Sequence, residues 1–170
     1  MVAREIGQVP TLIFALFHAL FTHMVCGIYT AAETEVGELV TLAETAPSWK
    51  AIGMMKKGSL LVRTGKASET VELINAGISE WRSTAATLWI PWHLSCLATA
   101  YAQLSRFDDA WRCVSEGATV VERTKERWSE AEVHRVGGEI ALKSPDPDLA
   151  KAEAYFERAL TVARQQQAKS

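Results

Sequence analysis

Cysteine is scarce in this 170-residue chain: three occur, at Cys26, Cys96 and Cys113. The number is odd and the separations, 70 and 17 residues, match no zinc or redox motif. This argues against a disulfide framework and points to a reducing, cytoplasmic setting, with the thiols acting as small apolar core groups. An excess of either charge is also missing. Lys plus Arg number 18 and Asp plus Glu 20, a net charge of −2. The balance holds along the chain, with 7 basic and 8 acidic residues in 1–92 and 11 and 12 in 93–170. No basic surface of the kind that binds nucleic acid follows from such totals. There is no glycine-rich phosphate loop ending in Lys-Ser or Lys-Thr, no GxSxG elbow and no HExxH pair. Alternating Val/Ile/Thr-rich runs that read as strands are absent as well.

What is present can bury a core: 48% of residues are hydrophobic and 22% charged. The one long apolar run, Thr11 to Ala32, has 22 residues without a formal charge, enough to span a bilayer. Against insertion stand His18, His23, Thr22 and Gly27 inside it, and flanks of Arg4, Glu5, Glu33 and Glu35 that set no orientation. The run is also too long and too aromatic for a signal peptide. A helix of a soluble protein is the preferred reading. A membrane-anchored module inserted through 11–32 is the alternative.

Five prolines (Pro10, Pro47, Pro91, Pro145 and Pro147) fall between helix-like stretches or open them. Helical spacing, as in Leu94, Leu97, Ala98 and Tyr101, predicts an all-α fold of about eight helices. These are placed over 11–28, 31–45, 48–64, 67–83, 90–105, 107–123, 127–143 and 148–167. Short connections predict four antiparallel hairpins in a single domain, over 11–45, 48–83, 90–123 and 127–167. Gly58, Ala98 and Gly138 recur every 40 residues along the first helix of a pair. Thr70, Ala110 and Ala152 follow on the second helix, then Ile74, Val114 and Phe156, then Gly77, Gly117 and Ala159. This small–large–small pattern predicts close helix approach within each pair.

The pattern resembles the tetratricopeptide repeat, which implies a right-handed solenoid of stacked hairpins. A closer resemblance is carried by ISEWRSTAATLWIPWHLSCLATAYAQLSRFDDAW (78–111), VERTKERWSEAEVHRVGGEIAL (121–142), AEAYFERALTVARQQQAKS (152–170) and REIGQVPTLIFALFHALF (4–21). These stretches are similar to the helical-repeat C-terminal region of large bacterial signalling proteins. Such proteins join a nucleotide cyclase or DNA-binding domain to an ATPase core. The resemblance implies a fragment of such a regulator that works by protein–protein contact, without enzymatic activity. It does not bring the ATPase, cyclase or DNA-binding activities, because no segment of this chain carries their motifs.

In tetratricopeptide arrays the first helix of each pair lines a concave groove. Transferred to this chain, that phase offers Met55 and Arg63 from the third helix, Trp92, Thr99 and Gln103 from the fifth, and Glu132, Arg135 and Glu139 from the seventh. A protein or peptide is the expected occupant. No catalytic, cofactor-binding or metal-ligating set is assigned. Glu126, Glu130 and His134 share one predicted helix face and are read as ion pairs. His18 and His23 are read as packed or hydrogen-bonded core groups, and His93 with Cys96 as core rather than a dyad. Trp81, Trp89 and Trp92 are read as packing between repeats, with a ligand-facing hot spot as the functional rival. The first helix, apolar on most sides through Leu12, Ile13, Phe14, Leu16, Phe17, Leu20 and Phe21, is expected to need cover, for which a homodimer is one candidate. A small metal-binding or catalytic helical bundle is the remaining alternative.

Overall fold

The computed structural model describes residues 8–44 and 47–168. Eight helices follow in order: α1 Val9–Val25, α2 Tyr29–Ala43, α3 Pro47–Arg63, α4 Ala67–Ser83, α5 Ile90–Gln103, α6 Phe107–Thr124, α7 Glu130–Lys143 and α8 Leu149–Gln165. Among the described residues there is no strand, so the chain is all-α. Helices pair consecutively as α1 with α2, α3 with α4, α5 with α6 and α7 with α8. The pairs then stack, because α3 touches α2, α5 touches α4 and α7 touches α6, while α3, α5 and α7 also touch one another in sequence.

The hairpin turns share one geometry. Gly27, Gly65 and Ser105 each sit in the left-handed region, with φ of 74°, 81° and 59°. The next N–H in each case reaches back five residues to a helical carbonyl: Ile28 to His23, Lys66 to Leu61 and Arg106 to Tyr101, at 2.8–2.9 Å. This is the Schellman closure, which satisfies the carbonyls a helix end leaves open. Three equal turns about 40 residues apart put the three hairpins in one register. The α7–α8 turn differs: Asp148 caps α8 by accepting from the Lys151 N–H at 2.9 Å.

The predicted small–large contacts are made. A Cβ on Gly58 would lie 2.6 Å from Ile74 Cγ1, and one on Gly138 would lie 2.6 Å from Phe156 Cε1. Only hydrogen fits there, so α3 with α4 and α7 with α8 approach closely. Most of the predicted boundaries shift by one to three residues, while α4 spans Ala67–Ser83 as expected. α1 spans Val9–Val25 rather than 11–28, because Gly27 breaks it. The uncharged run 11–32 is therefore the body of one helix, a turn and the start of another. Among the described residues no helix is long and apolar enough to cross a membrane. α2 starts at Tyr29, α5 ends at Gln103, and α7 starts at Glu130 rather than 127. The predicted end of the second helix at residue 45 lies outside the described residues.

The core divides in two. A larger cluster runs through α3 to α7 and includes Ile52, Met55, Ile74, Leu97, Val114 and Ile140. A smaller one joins Ile13, Leu16, Leu20 and Met24 of α1 to Leu39 of α2 and Leu60 of α3. The chain therefore covers most of α1 itself. Phe14, 57% exposed, is the large α1 side chain left most open.

Candidate functional site

The first helices of the last three hairpins enclose a cavity of about 310 Å3. Val62 and Arg63 line it from the end of α3, Ser95, Cys96, Thr99 and Gln103 from α5, Glu132, Arg135 and Glu139 from α7, and Tyr29 from the start of α2. Spacings of three and four put the contributors from α5 and α7 on one face of each helix. Of the eight residues expected in the groove, Arg63, Thr99, Gln103, Glu132, Arg135 and Glu139 meet in this cavity. Met55 and Trp92 do not. Met55 is 1% exposed and lies against the backbone of Gly77. Trp92 is 6% exposed and packs against Phe21 and Trp128. Phe21 of α1 reaches across to α5 and covers Trp92, while Met55 faces α4 inside its own hairpin.

Arg135 is committed. Its Nε and Nη2 donate to Glu132 at 2.6 and 2.8 Å, and Nη1 donates to Glu139 at 2.5 Å. Lys143 Nζ lies 3.5 Å from the other Glu139 oxygen. The hydrogen bond to Glu132, ahead of the remaining causes, raises the Arg135 pKa above its ordinary value. Gln103 Nε2 donates to the Val62 carbonyl at 3.2 Å. Thr99 and Ser95 donate back along α5 to the Ser95 and Pro91 carbonyls, at 3.0 Å each. Arg63 differs from all of these. Its guanidinium carbon lies 5.7 Å from the Trp92 ring centre, and its buried Nε has no hydrogen-bond partner among the described residues. A buried donor without an acceptor costs about 1–3 kcal/mol, so the position favours an arriving acceptor.

Next to this groove lies a sealed polar line that sequence reasoning missed. Lys56 is fully buried, and its ammonium sits 4.0 Å from the Phe17 ring centre and 4.7 Å from those of Phe21 and Trp89. Nζ has no hydrogen-bond partner among the described residues. Three ring faces replace water around the cation. Burial pulls the Lys56 pKa down to about 7. The signal was present in spacing: Lys56 falls three before Ser59 and four after Ile52, on the buried face, whereas its neighbour Lys57 is exposed. His93 Nδ1 lies 3.0 Å from Ser59 Oγ, which donates to the Met55 carbonyl at 2.9 Å. The imidazole must then donate through Nδ1. Burial, and secondarily the Lys56 charge, hold its pKa well below the usual range. Burial pushes the Cys96 thiol up, with Ser59 pulling it partly back. His93 thus bonds Ser59 rather than Cys96.

The line is roofed by Phe17, Phe21, Trp89, Trp92 and Trp128, with ring centres 4.6–5.9 Å apart in contacting pairs. Trp89 caps α5 with φ of 72°, a strained setting for a bulky residue. Glu126 holds it there, accepting from the Trp89 N–H at 2.9 Å and from Trp128 Nε1 at 2.6 Å. Glu126 therefore does not share a helix face with Glu130 and His134, which corrects that expectation. Glu130 is paired with Arg127 at 2.7 Å and Arg158 at 3.6 Å, with His134 at 4.0 Å. His18 is exposed, edge-on to Phe14 and Phe17, instead of core, and His23 bonds Glu35 at 2.8 Å. A larger cavity, about 380 Å3, lies beside Glu130 and His134. Its Glu130 is engaged with Arg127 and Arg158, and its lining comes from α6, α7, α8 and the loop before α7 rather than from the first helices of several hairpins, so the groove with the uncommitted Arg63 is the better site. Among the described residues no three His, Cys, Asp or Glu side chains group as a metal site. No family model, no curated protein and no solved structure matches the chain.

Proposed function

We propose that this chain is a non-enzymatic, tetratricopeptide-like scaffold that receives a protein segment in the groove between α3, α5 and α7. Its setting is a bacterial signalling or transcription-regulatory system, as the sequence resemblance implies. The single observation that supports it best is convergence. Arg63, Thr99, Gln103, Glu132, Arg135 and Glu139 come from three helices and line one cavity. Side chains from separate elements facing one polar hollow suit recognition of a chain that is itself polar. The three matching turns of the first three hairpins support the repeat reading, since stacked equal units make a continuous concave surface. The buried states of Cys96 and His93 favour structural over catalytic roles.

A peptide-display selection on the folded chain tests this. The variant Arg63→Ala/Gln103→Ala/Arg135→Ala changes the groove without touching Met55 or Trp92, whose loss would open the core. Selected peptides are expected to bind the parent and to lose affinity for the triple variant, while binding a Glu153→Ala control on α8 unchanged. Peptides that bind the triple variant as tightly as the parent would refute the groove as the docking surface.

A further inference from the structure

We infer that the hollow between α1, α3, α4 and the loop before α5 is a binding site for an uncharged, planar aromatic molecule of two or three rings. It shares no lining residue with the groove, so it goes beyond the scaffold reading. Five rings wall it: Phe14 and Phe17 of α1, Trp49 of α3, Trp81 of α4 and Trp89 of the loop. Its volume is about 350 Å3. An apolar cavity of about 150 Å3 holds benzene, which sets the size at two or three rings. A stable protein partner needs about 800 Å2 of surface on each side. Here the exposed side chains of the wall are Phe14, His18 and Leu88, so the hollow suits a small molecule.

Two further observations choose the chemistry of the ligand. The first is the polar accounting. Trp81 Nε1 donates to the Leu88 carbonyl at 3.0 Å, and the Trp89 N–H donates to Glu126 at 2.9 Å. No carboxylate, ammonium or guanidinium stands on the wall, so a charged ligand would lose hydration without gaining a partner. The same two bonds pin the loop and hold Trp89 at its φ of 72°. Strain that the surroundings maintain in a bulky residue is characteristic of ligand clamps. The second observation is the buried Lys56. Its ammonium does not line the hollow and lies behind two of the walls, 4.0 Å from the Phe17 ring centre and 4.7 Å from that of Trp89. A cation on one face draws ring electrons toward itself and leaves the opposite face less negative. The hollow therefore favours an electron-rich ring and repels a cation.

The test follows the Trp81 indole Nε1–H signal by NMR in the full chain at about pH 6, assigned by its loss in Trp81→Phe. The probes are 2-naphthol, its saturated analogue decahydro-2-naphthol, and the cation N-methylquinolinium. The naphthol is expected to move the signal saturably, with a Kd of about 0.1 mM or below. The saturated alcohol lacks a π face and is expected to bind about threefold or more weakly. The cation is expected to bind about tenfold or more weakly, and Lys56→Met should narrow that gap. Phe14→Ala/Leu88→Ala trims two exposed rim positions, which spares the core, and should weaken the naphthol about fivefold or more. Leu160→Ala, an exposed change on α8, should leave it unchanged. The inference is overturned if the naphthol gives no saturable shift up to about 2 mM. Equal binding of the saturated alcohol or the cation, a gap unchanged in Lys56→Met, or naphthol binding unchanged in the rim variant would also overturn it. The display selection is read independently, since neither rim residue lines the groove.

Discussion

Replacing Lys56 by Met should stabilise the chain and remove a pH dependence that the parent shows near neutrality. Lys56 is fully buried, and its ammonium faces the rings of Phe17, Phe21 and Trp89 with no carboxylate partner. Burial lowers its pKa from 10.5 to about 7. Below pH 7 both folded and unfolded chains hold the proton, and the folded state carries the full desolvation cost. As pH rises from 7 toward 10.5 the folded amine gives up its proton first. The unfolded chain then binds more protons, and stability climbs. Between pH about 7 and about 8.5 the gain from desolvation alone is about 1.6 kcal/mol. Cation–π attraction favours the charged form and reduces this to about 1 kcal/mol. The Cys96 and Cys113 thiols, both pushed up by burial, begin to lower stability as pH approaches their unfolded value of 9.0 and offset about 0.3 kcal/mol of the gain by pH 8.5. His93, held well below 6.5, acts below this window. Urea unfolding at the two pH values reads the effect as a midpoint rise of about 0.5 M in the parent. Lys56→Met should show no midpoint rise between the two pH values, and a midpoint above the parent's at pH 7. A parent midpoint that is flat or falls with pH, or a Lys56→Met midpoint that rises equally, would refute the reasoning.

Glu126→Gln weakens the acceptor for the Trp89 N–H and Trp128 Nε1 and should cost about 1–3 kcal/mol, with a red shift of tryptophan emission as the aromatic roof loosens. Gly77→Ala places a Cβ 2.5 Å from Met55 Cγ and 2.9 Å from the Ala51 carbonyl; a thermal melt should show a loss of about 1–3 kcal/mol. Arg135→Ala breaks half-exposed ion pairs and should change stability by less than about 1 kcal/mol while lowering groove binding. Thiol labelling of the native chain should modify exposed Cys26 quickly, and Cys96 and Cys113 only on unfolding.

The helices were legible because local signals agree with one another. Prolines sit at helix starts and in loops, and Gly58 and Gly138 meet Ile74 and Phe156 at the predicted register. The groove was legible in part for the same reason: one helical phase places Thr99 and Gln103, or Glu132, Arg135 and Glu139, on one face. What spacing could not carry is contact across distant sequence. Phe17 and Phe21 reach Trp89, Trp92 and Trp128 only in the folded chain, and this moves Trp92 from groove to core; Met55 is in the core because it faces Gly77 of α4. The same roof buries Lys56, although its spacing from Ile52 and Ser59 already places it on the buried face of α3. Glu126 was placed on a helix because the periodicity of α7 extends back through it, but its bonds to Trp89 and Trp128 hold it in the preceding loop.

Photo-crosslinking from Gln103 in the groove, with the same photoreactive residue at Glu153 on α8 as reference, tests the central claim most directly. Both side chains are exposed. In the native cell a discrete crosslinked partner from Gln103, competed by a display-selected peptide and absent from Glu153, is the predicted result. No crosslink from Gln103, or the same partners from both positions, would contradict the groove as the working surface of this protein.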